Sequence, residues 1–308
     1  MSRPASQGKP ELFIGVDGGG TGCRARIEDA DGRVLGQGSA GPASIRLGLD
    51  ASLAAIDAAC RASAEDAQLP AEALSQMHAV IGLAGACRRG ALEQLRSRPQ
   101  PFRSVTYLSD AKIACIGAHG GRDGGIVIIG TGSVGLAVIG GRELRVGGYG
   151  FPISDEGSGA DIGLRAIRAA LRARDGRAPA TAFTQELMGR FGNDLGEVVA
   201  WTDRASATDY ASLAPLVVRH ANAEDQVARA ILTDAAAHID DIVRRLTAYG
   251  APRIALLGGL APVMESWLAR DVRDCLVAPE GDAVDGALRV ARDKASSWLD
   301  GGRDQASA

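Results

Sequence analysis

Cysteine and histidine are scarce in this chain, and neither follows a recognisable ligand spacing. The cysteines number five, an odd total without a C-x-x-C pair: Cys23, Cys60, Cys87, Cys115 and Cys275. We therefore expect no disulfide framework and no zinc ribbon, and we expect a reducing compartment. The four histidines also lack the spacing of a metal cluster: His78, His119, His220 and His238.

The chain has no excess of basic residues. Lys and Arg together number 34 against 37 Asp and Glu, which gives a net charge of −3 and a pI near 5.9. This balance argues against a nucleic-acid or membrane surface, so we expect a small-molecule partner. A hydrophobic share of 46% excludes wholesale disorder, and 308 residues suffice for one or two domains without covalent staples.

Long uninterrupted hydrophobic segments are also missing. The opening residues, MSRPASQGKPE, contain no apolar stretch of the kind found in secretion signals. The segment Gly124–Gly141 is uncharged, but its glycines divide it into the short runs IVII and VGLAVI. These runs predict two buried strands around a turn rather than a membrane span. We expect a cytoplasmic protein.

Glycine, in contrast, is abundant, and its 41 residues cluster at the ends of predicted strands. Two clusters join predicted antiparallel strands: Asp17, Gly18, Gly19, Gly20 and Thr21 in the first, and Gly130, Thr131, Gly132 and Ser133 in the second. Glycine lets backbone N–H groups approach an anion, and the Thr and Ser hydroxyls add donors. The pattern predicts two phosphate-binding hairpins.

Two other nucleotide-binding motifs fit the glycines less well. Gly130, Gly132 and Gly135 spell the dinucleotide pattern G-x-G-x-x-G, but residues of β character follow them where that motif requires a helix. The sequence contains no G-K-[ST], and its three lysines lie outside the glycine loops. Neither a dinucleotide fold nor a P-loop is therefore expected.

The order of predicted elements repeats along the chain. A three-strand meander followed by alternating helices and strands begins near residue 11 and again near residue 121. We predict an α/β fold of two βββαβα-type lobes with an interlobe cleft. The predicted parts are a flexible leader at 1–10, an N-terminal lobe at 11–119, a C-terminal lobe at 120–284 and a polar tail at 300–308, with a helix at 285–299 as a candidate to complete the first lobe.

Two aspartates stand at the ends of predicted strands. Asp17 precedes the first hairpin, where a carboxylate can support Mg²⁺ beside a triphosphate or can cap its own turn. Asp110 opens the helical stretch AKIACIGA, where it can cap the helix or accept a proton from a substrate hydroxyl. Phosphoryl transfer depends more on positioning than on base strength, so Asp110 can be both cap and general base.

The segment GGYGFPISDEGSG at residues 147–159 is the densest polar and glycine cluster in the chain. Asp155 and Glu156 offer acceptors for sugar hydroxyls or an amine, and Tyr149 and Phe151 can line a site. Acidic residues also favour the N-terminus of the helix that follows. The segment is therefore a candidate sugar-binding loop and a helix start at once.

Seven motifs in order resemble the BadF/BadG/BcrA/BcrD-type ATPases, most of all their N-acetylglucosamine kinase and bacterial glucosamine kinase branch. They span about residues 12–290: DGGGT at 17–21, GPASIRLG at 41–48, LAGA at 83–86, SDA at 109–111, GTGS at 130–133, GGYGFPISDEGSG at 147–159 and LLGG at 256–259. The resemblance implies an actin-like, ribonuclease-H-like fold that closes on ATP and a sugar.

The same resemblance implies roles for single residues. It makes Gly258 and Gly259 the adenosine loop and Asp110 the base for the sugar 6-hydroxyl, and its sugar contacts are Ser44, Gly148, Tyr149 and Asp155. Ser44 stands where family members usually have Asn, and Tyr149 where many N-acetylglucosamine kinases have Trp. A serine hydroxyl can still hydrogen-bond, but it reaches less far than an amide.

The expected protein is an ATP- and Mg²⁺-dependent glucosamine kinase that forms a homodimer, with an N-acetylglucosamine kinase as the alternative. Two more remote alternatives stay open. An ATPase activator of a reductase would need iron–sulfur cysteine spacing, and the sequence has none that we recognise. A sugar-sensing regulator would need a DNA-binding module, for which the residues before the first predicted strand are too few.

Overall fold

The computed structural model describes residues 11–303, with side chains as far as residue 295. Its strands are β1 (Leu12–Gly18), β2 (Cys23–Asp29), β3 (Val34–Ala40), β4 (Met77–Leu83), β5 (Ser104–Ser109), β6 (Gly124–Ile129), β7 (Ser133–Ile139), β8 (Arg142–Gly147) and β9 (Ile254–Leu257). Its helices are α1 (Leu49–Asp66), α2 (Ala91–Arg96), α3 (Asp110–Ala118), α4 (Gly159–Arg174), α5 (Ala182–Gly189), α6 (Leu195–Thr202), α7 (Ala207–Ala211), α8 (Ala214–Asn222), α9 (Gln226–Tyr249), α10 (Ala261–Glu265), α11 (Arg270–Arg273) and α12 (Ala283–Arg303).

The chain divides into two compact units. Of the described residues, 11–122 and 280–303 form the first unit, and 123–279 form the second. The first unit contains a five-stranded sheet of order β3-β2-β1-β4-β5, and the second a four-stranded sheet of order β8-β7-β6-β9. In each sheet three consecutive strands form an antiparallel meander, and a later strand joins parallel to the first of them.

The two faces of the first sheet are covered by different helices. α1 covers one face so closely that a Cβ on Gly38 would lie 2.3 Å from the Ala59 carbonyl oxygen. Because side chains alternate along a strand, Phe13 and Val80 point to the other face, where they pack against Ile113 of α3 and Leu288 of α12. The last helix therefore completes the hydrophobic core of the unit in which the chain begins.

Backbone contact and ion pairs hold α12 in the first unit. A Cβ on Gly286 would lie 1.9 Å from the Ile113 carbonyl oxygen, so α12 and α3 approach each other more closely than any side chain would permit. Arg24 and Arg26 of β2 pair with Asp282 and Asp285 at the start of α12. These contacts join residues more than 250 positions apart in the sequence.

In the second unit, long amphipathic helices pack against the sheet. Asp225 caps α9 by accepting hydrogen bonds from the Val227 and Ala228 backbone N–H groups, and Gly250 ends the helix with a left-handed φ of 114°. The buried residues of α4 and α9 share one core cluster with Phe183 of α5. The short helices α5 to α8 lie between these two long helices in the sequence, and sequence reasoning did not predict them.

The uncharged segment Gly124–Gly141 contains β6 and β7, the two strands around a turn that the sequence predicts. No helix in the described part of the chain is long and apolar enough to cross a membrane. α12 continues to Arg303, so the segment 300–303 is helical where the sequence predicts a polar tail. The rest of that tail and the predicted leader at 1–10 lie outside the described residues.

Candidate functional site

One edge of the first sheet gathers most of the candidate residues of that unit. Gly18 of β1 lies beside Leu83 of β4, and Leu83 lies beside Ser109 of β5, so these parallel strands end together. The hairpin Asp17–Thr21, the segment that follows Leu83 and Asp110 therefore share this edge. β1 and β5 are separated by two strand spacings, about 10 Å. Ligands commonly bind at the carboxyl ends of parallel strands in such sheets.

The first glycine hairpin is supported by backbone bonds on both sides. The Gly19 N–H donates to the Gly22 carbonyl oxygen, and the Gly19 carbonyl oxygen accepts from the Ala43 N–H, each at 2.9 Å. A Cβ on Gly18 would lie 2.7 Å from Leu83 Cδ1, whereas a Cβ on Gly20 would meet nothing within 4 Å. Gly20 and Thr21 are exposed at the tip, where an anion could approach their backbone.

Asp17 belongs to a chain of charged groups at the base of this hairpin. Its Oδ2 accepts from Arg24 at 2.9 Å, and the same guanidinium donates to Asp282 at 2.9 Å. The hydrogen bond to Asp17 raises the pKa of Arg24. The side chain of Asp17 keeps 21% of its exposure, so Arg24 orients a carboxylate that remains accessible. Sequence reasoning missed Arg24, although it follows the hairpin by only a few residues.

Ser44, an expected sugar contact, is buried. It is 4% exposed, and its hydroxyl donates to the Ala84 carbonyl oxygen at 3.3 Å. The Ser44 carbonyl oxygen accepts from Ser52 Oγ at 2.6 Å, so both polar ends of the residue have partners. Because a hydroxyl has a single proton, Ser44 Oγ could meet a ligand in this arrangement only as an acceptor.

Asp110 is the first residue of α3, but it is not the cap. Ser109 occupies that position, with its Oγ accepting from the Lys112 N–H at 3.1 Å. The prediction that Asp110 caps the helix is therefore wrong by one residue, because Ser and Asp are both good caps and stand side by side. Asp110 is half-buried and lies at the same edge as the first hairpin.

The second hairpin is tied to the N-terminus of α4. The Gly130 and Thr131 carbonyl oxygens accept from the Gly159 and Ala160 N–H groups at 2.8 and 3.2 Å. Ser133 Oγ donates to the Glu156 carbonyl oxygen at 2.7 Å, which joins the hairpin to the segment 147–159. Ser158 caps α4 by accepting from the Asp161 N–H, so neither Asp155 nor Glu156 has that role.

Asp155 stands directly against the second hairpin. Its Oδ2 lies 2.5 Å from the position that a Cβ on Gly132 would occupy, and its Oδ1 accepts from the Gly150 N–H at 3.1 Å. Asp155 has a φ of 68°, a left-handed value that is unusual outside glycine. Burial raises its pKa, and the nearby Glu156 also raises it, against the opposing effect of the Gly150 N–H and Arg145.

The other candidates of the segment 147–159 lie close to this carboxylate in the chain. Tyr149 is 74% exposed, and the Arg145 guanidinium lies 5.9 Å from the centre of its ring. Arg145 also donates to the Gly148 carbonyl oxygen. The Glu156 side chain is exposed and accepts from Ser154 Oγ at 3.4 Å. One loop thus carries an aromatic ring and two acidic groups. Arg145 of β8 contacts this loop, and sequence reasoning did not identify it.

Gly258 and Gly259 follow β9, which ends beside β6. Gly258 has a φ of 96°, and a Cβ there would lie 2.4 Å from the Ile129 carbonyl oxygen, so the position requires glycine. The same carbonyl oxygen accepts from the Leu260 N–H at 3.0 Å. The predicted adenosine loop therefore contacts the last residue of β6, immediately before Gly130.

Each unit thus carries an antiparallel glycine hairpin on a meander whose first strand has a parallel neighbour, the arrangement of actin-like, ribonuclease-H-like ATPases. The predicted fold class is confirmed. The chain belongs to the BadF/BadG/BcrA/BcrD ATPase family, whose model matches residues 14–288. The predicted family membership is confirmed as well.

Several relatives of this chain are kinases of amino sugars. The chain is 40% identical over 279 residues to the glucosamine kinase GspK of Vibrio cholerae, covering 91% of this chain and 95% of that protein. It is 33% identical to an N-acetylmuramic acid/N-acetylglucosamine kinase of Clostridium acetobutylicum over 58% of this chain and 59% of that protein. A crystal structure from Chromobacterium violaceum, assigned as an N-acetylglucosamine kinase, is 36% identical with a TM-score of 0.85 and covers 92% of this chain and 99% of that one.

Proposed function

We propose that this protein is an ATP-dependent amino-sugar kinase that transfers the γ-phosphoryl group of ATP to the 6-hydroxyl of glucosamine. The observation that carries the proposal is the shared edge of the first sheet. There a glycine hairpin suited to phosphate follows β1, and a carboxylate suited to a sugar hydroxyl follows β5, two strand spacings away in the same sheet. The similarity to the Vibrio cholerae glucosamine kinase over 91% of the chain supports the same reaction class.

Asp110 is the proposed general base. In the transfer step the sugar O6 forms a bond to the γ-phosphorus while the bond from that phosphorus to the β,γ-bridging oxygen breaks. The proton of the 6-hydroxyl passes to a carboxylate oxygen of Asp110, and ADP leaves. Because the transition state is loose, the position of Asp110 at the start of α3 matters more than a strongly perturbed basicity.

The proposed phosphate contacts come from both glycine hairpins. Gly18, Gly19, Gly20 and Thr21 would contribute from the first unit, and Gly130, Thr131, Gly132 and Ser133 from the second. Gly258 and Gly259 would hold the adenosine. Backbone N–H groups suit this role because they stabilise negative charge without adding a fixed charge of their own.

The donor set of the first hairpin fits Mg²⁺ held mainly by phosphate and water. The described residues contain no group of three or more His, Cys, Asp or Glu side chains that could hold a metal ion. Mg²⁺ in phosphate sites is commonly held by one or two carboxylates together with phosphate oxygens and waters. Asp17, oriented by Arg24, would be that carboxylate. Bound Mg²⁺ would supply neutralisation of the charge on the phosphate chain.

The proposed sugar contacts are Ser44, Gly148, Tyr149, Asp155 and Glu156, together with Asp110. An ammonium group at the sugar 2-position would favour the acidic pair, since Asp155 and Glu156 lie in one loop. N-acetylglucosamine is the second candidate substrate. The similarity of this chain to the proteins of Clostridium acetobutylicum and Chromobacterium violaceum that are named as kinases of this sugar supports it. A site that pairs with one 2-substituent is expected to discriminate against the other.

The test compares kcat/KM for glucosamine, N-acetylglucosamine and glucose with ATP and Mg²⁺. We expect glucosamine to be preferred. Asp110→Asn should bind ATP normally and lose at least about a hundredfold in kcat, because general base catalysis contributes this much or more. Asp57→Asn, on the exposed side of α1, is the matched control. Wild-type kcat in Asp110→Asn would eliminate the proposed base, and absence of transfer to any amino sugar would eliminate the function.

The homodimer and the cytoplasmic location stay predictions from the sequence. Light scattering of the purified protein tests the first, and cell fractionation tests the second.

The cysteines bear on the iron–sulfur alternative. Cys23, Cys60 and Cys115 are buried, and burial raises the pKa of the Cys23 thiol to about 12. A buried, protonated thiol is a poor cluster ligand. Stoichiometric iron in protein purified without oxygen would restore the iron–sulfur alternative.

A further inference from the structure

A cavity of about 490 Å³ lies among the short helices of the second unit. It is of a size that suits a small ligand. Its wall combines aromatic rings with charged groups: Arg190, Phe191, Glu197, Trp201, Arg204 and Leu213 are the members that carry the argument. None of them belongs to the glycine hairpins or to the proposed sugar contacts.

Within the described part of the chain, the guanidinium groups of the two arginines in this wall are unpaired. Across the described residues, neither Arg190 nor Arg204 makes a side-chain hydrogen bond or an ion pair. Elsewhere in the unit some exposed arginines are paired, such as Arg219 with Glu186 and Arg229 with Glu224, and others such as Arg245 have no partner among the described residues. It is the placement of two unpaired guanidinium groups in one wall that sets this cavity apart. Two guanidinium groups against one carboxylate, Glu197, leave the cavity with an excess of positive charge. This composition favours an anion, and guanidinium groups bind phosphate in bidentate geometry.

The aromatic part of the wall favours a ligand with a ring. Phe191 and Trp201 meet edge to face with ring centres 5.5 Å apart, and Trp201 is only partly buried. A sugar ring can pack its C–H face on such an indole, while its hydroxyls or amine reach Glu197. A nucleotide could also place its phosphates on the guanidinium groups, but its neutral base and ribose bring no cation to Glu197, whereas the ammonium group of an amino sugar does. A phosphorylated sugar uses the arginines, the ring and the carboxylate together.

A row of rings leads from this cavity to the loop that carries Asp155. Trp201 contacts Tyr210 with ring centres 5.0 Å apart, and Tyr210 contacts Phe151 at 5.1 Å. Tyr210 is buried, and its carbonyl oxygen would lie 2.0 Å from a Cβ on Gly163, so it cannot shift freely against α4. A ligand that packs on Trp201 would therefore press on residues that contact the proposed sugar loop.

We propose that this cavity is a second ligand site for a phosphorylated amino sugar, the class of compound that the proposed reaction produces. The choice of ligand rests on the proposed function, whereas the site rests on the cavity and its unpaired arginines. Through Tyr210 and Phe151, occupancy of the cavity would act on the segment that carries Asp155.

The test uses the full chain with Trp267 and Trp298 replaced by phenylalanine, which leaves Trp201 as the one tryptophan of the original three. Glucosamine 6-phosphate is titrated with an ATP analogue and glucosamine already at saturation, so that the proposed active site is occupied. We expect a saturable change in Trp201 fluorescence. Arg204→Gln should weaken this binding about tenfold or more, as expected for a lost charged hydrogen bond. Arg245→Gln, an exposed arginine outside the cavity, should leave it unchanged.

Three outcomes would overturn the site. The first is no saturable change in protein that keeps its kinase activity, and the second is equal binding by the Arg204→Gln and Arg245→Gln variants. The third is a change in Trp201 fluorescence that ADP produces and the sugar phosphate does not, which would make the cavity a nucleotide pocket. Kinase activity is assayed separately, so failure of the proposed function with an intact Trp201 titration is distinguishable from failure of the site. Circular dichroism of each variant verifies folding.

Discussion

A methyl group on Gly132 should disturb sugar binding, because it would collide with Asp155, one of the proposed sugar contacts. In Gly132→Ala the new Cβ would lie 2.5 Å from Asp155 Oδ2 and 3.2 Å from Asp155 Cγ. The Gly132 backbone does not have a left-handed φ, so alanine introduces a contact and not a backbone conflict. Asp155 must therefore move, or the hairpin must.

The required movement sets the size of the effect. An ordinary contact begins near 3.4 Å, so the carboxylate oxygen is about 0.9 Å too close. A shift of that size breaks or stretches the 3.1 Å hydrogen bond that Asp155 accepts from the Gly150 N–H. Loss of one hydrogen bond to a charged group costs about 1.5–3 kcal/mol. A sugar that hydrogen-bonds to Asp155 would lose a bond of the same kind when the carboxylate moves, so its affinity should fall by about 10- to 150-fold.

The matched control is Gly130→Ala, two residues earlier in the same hairpin, where a Cβ would meet nothing within 4 Å. Gly130 and Gly132 are both proposed phosphate contacts, so both variants are assayed for the KM of ATP. Only Gly132→Ala should raise the KM of the amino sugar. An unchanged KM for glucosamine in Gly132→Ala, or equal increases in the two variants, would refute the reasoning.

Two further predictions concern the ionisation of Asp155 and the packing of α12. Burial raises the pKa of Asp155, with Glu156 adding to the effect and Arg145 opposing it, and the sugar is expected to bind the ionised form. Since the carboxylate is ionised only above that pKa, kcat/KM for the amino sugar should fall with decreasing pH at values above the ordinary aspartate range. Asp155→Asn should remove this acidic limb of the kcat/KM–pH profile together with most of the activity. An identical acidic limb in the variant would contradict the assignment. In the first unit, Gly286→Ala places a Cβ 1.9 Å from the Ile113 carbonyl oxygen and should lower the free energy of unfolding by about 1–3 kcal/mol in urea. Gly189→Ala at the end of α5, where a Cβ meets nothing within 4 Å, should be neutral or slightly stabilising, and equal stability of the two variants would exclude backbone contact between α3 and α12.

Local patterns were sufficient for the strands and the hairpins. Glycine runs between β-branched segments predict tight antiparallel connections, and β1 with β2 and β6 with β7 form them. The position of Asp110 at the start of a helix is equally local. Its assignment as the cap failed because adjacent Ser and Asp compete for one position, and a single-residue shift in helix start decides between them.

Long-range contacts could not be read from the sequence in the same way. The contact of Gly132 with Asp155 depends on a left-handed aspartate between a β-strand and a helix, which no periodicity indicates. The packing of α12 on α3 depends on two glycines, Gly117 and Gly286, that are unremarkable by themselves. The cavity near Trp201 was missed because α6 and α7, at eight and five residues, are too short to show a clear helical repeat.

The two glycine hairpins are supported in different ways, and the difference has a consequence for substrate binding. The first is held by backbone bonds to the segments after β3 and β4, through Ala43 and Ala84. The second is held by the loop that carries the proposed sugar contacts, through Ser133 Oγ on the Glu156 carbonyl oxygen and through Asp155 against Gly132. A displacement of that loop by a sugar therefore acts directly on a proposed phosphate hairpin of the same unit. Amino-sugar binding should accordingly alter ATP affinity through the second hairpin even where the first is unchanged.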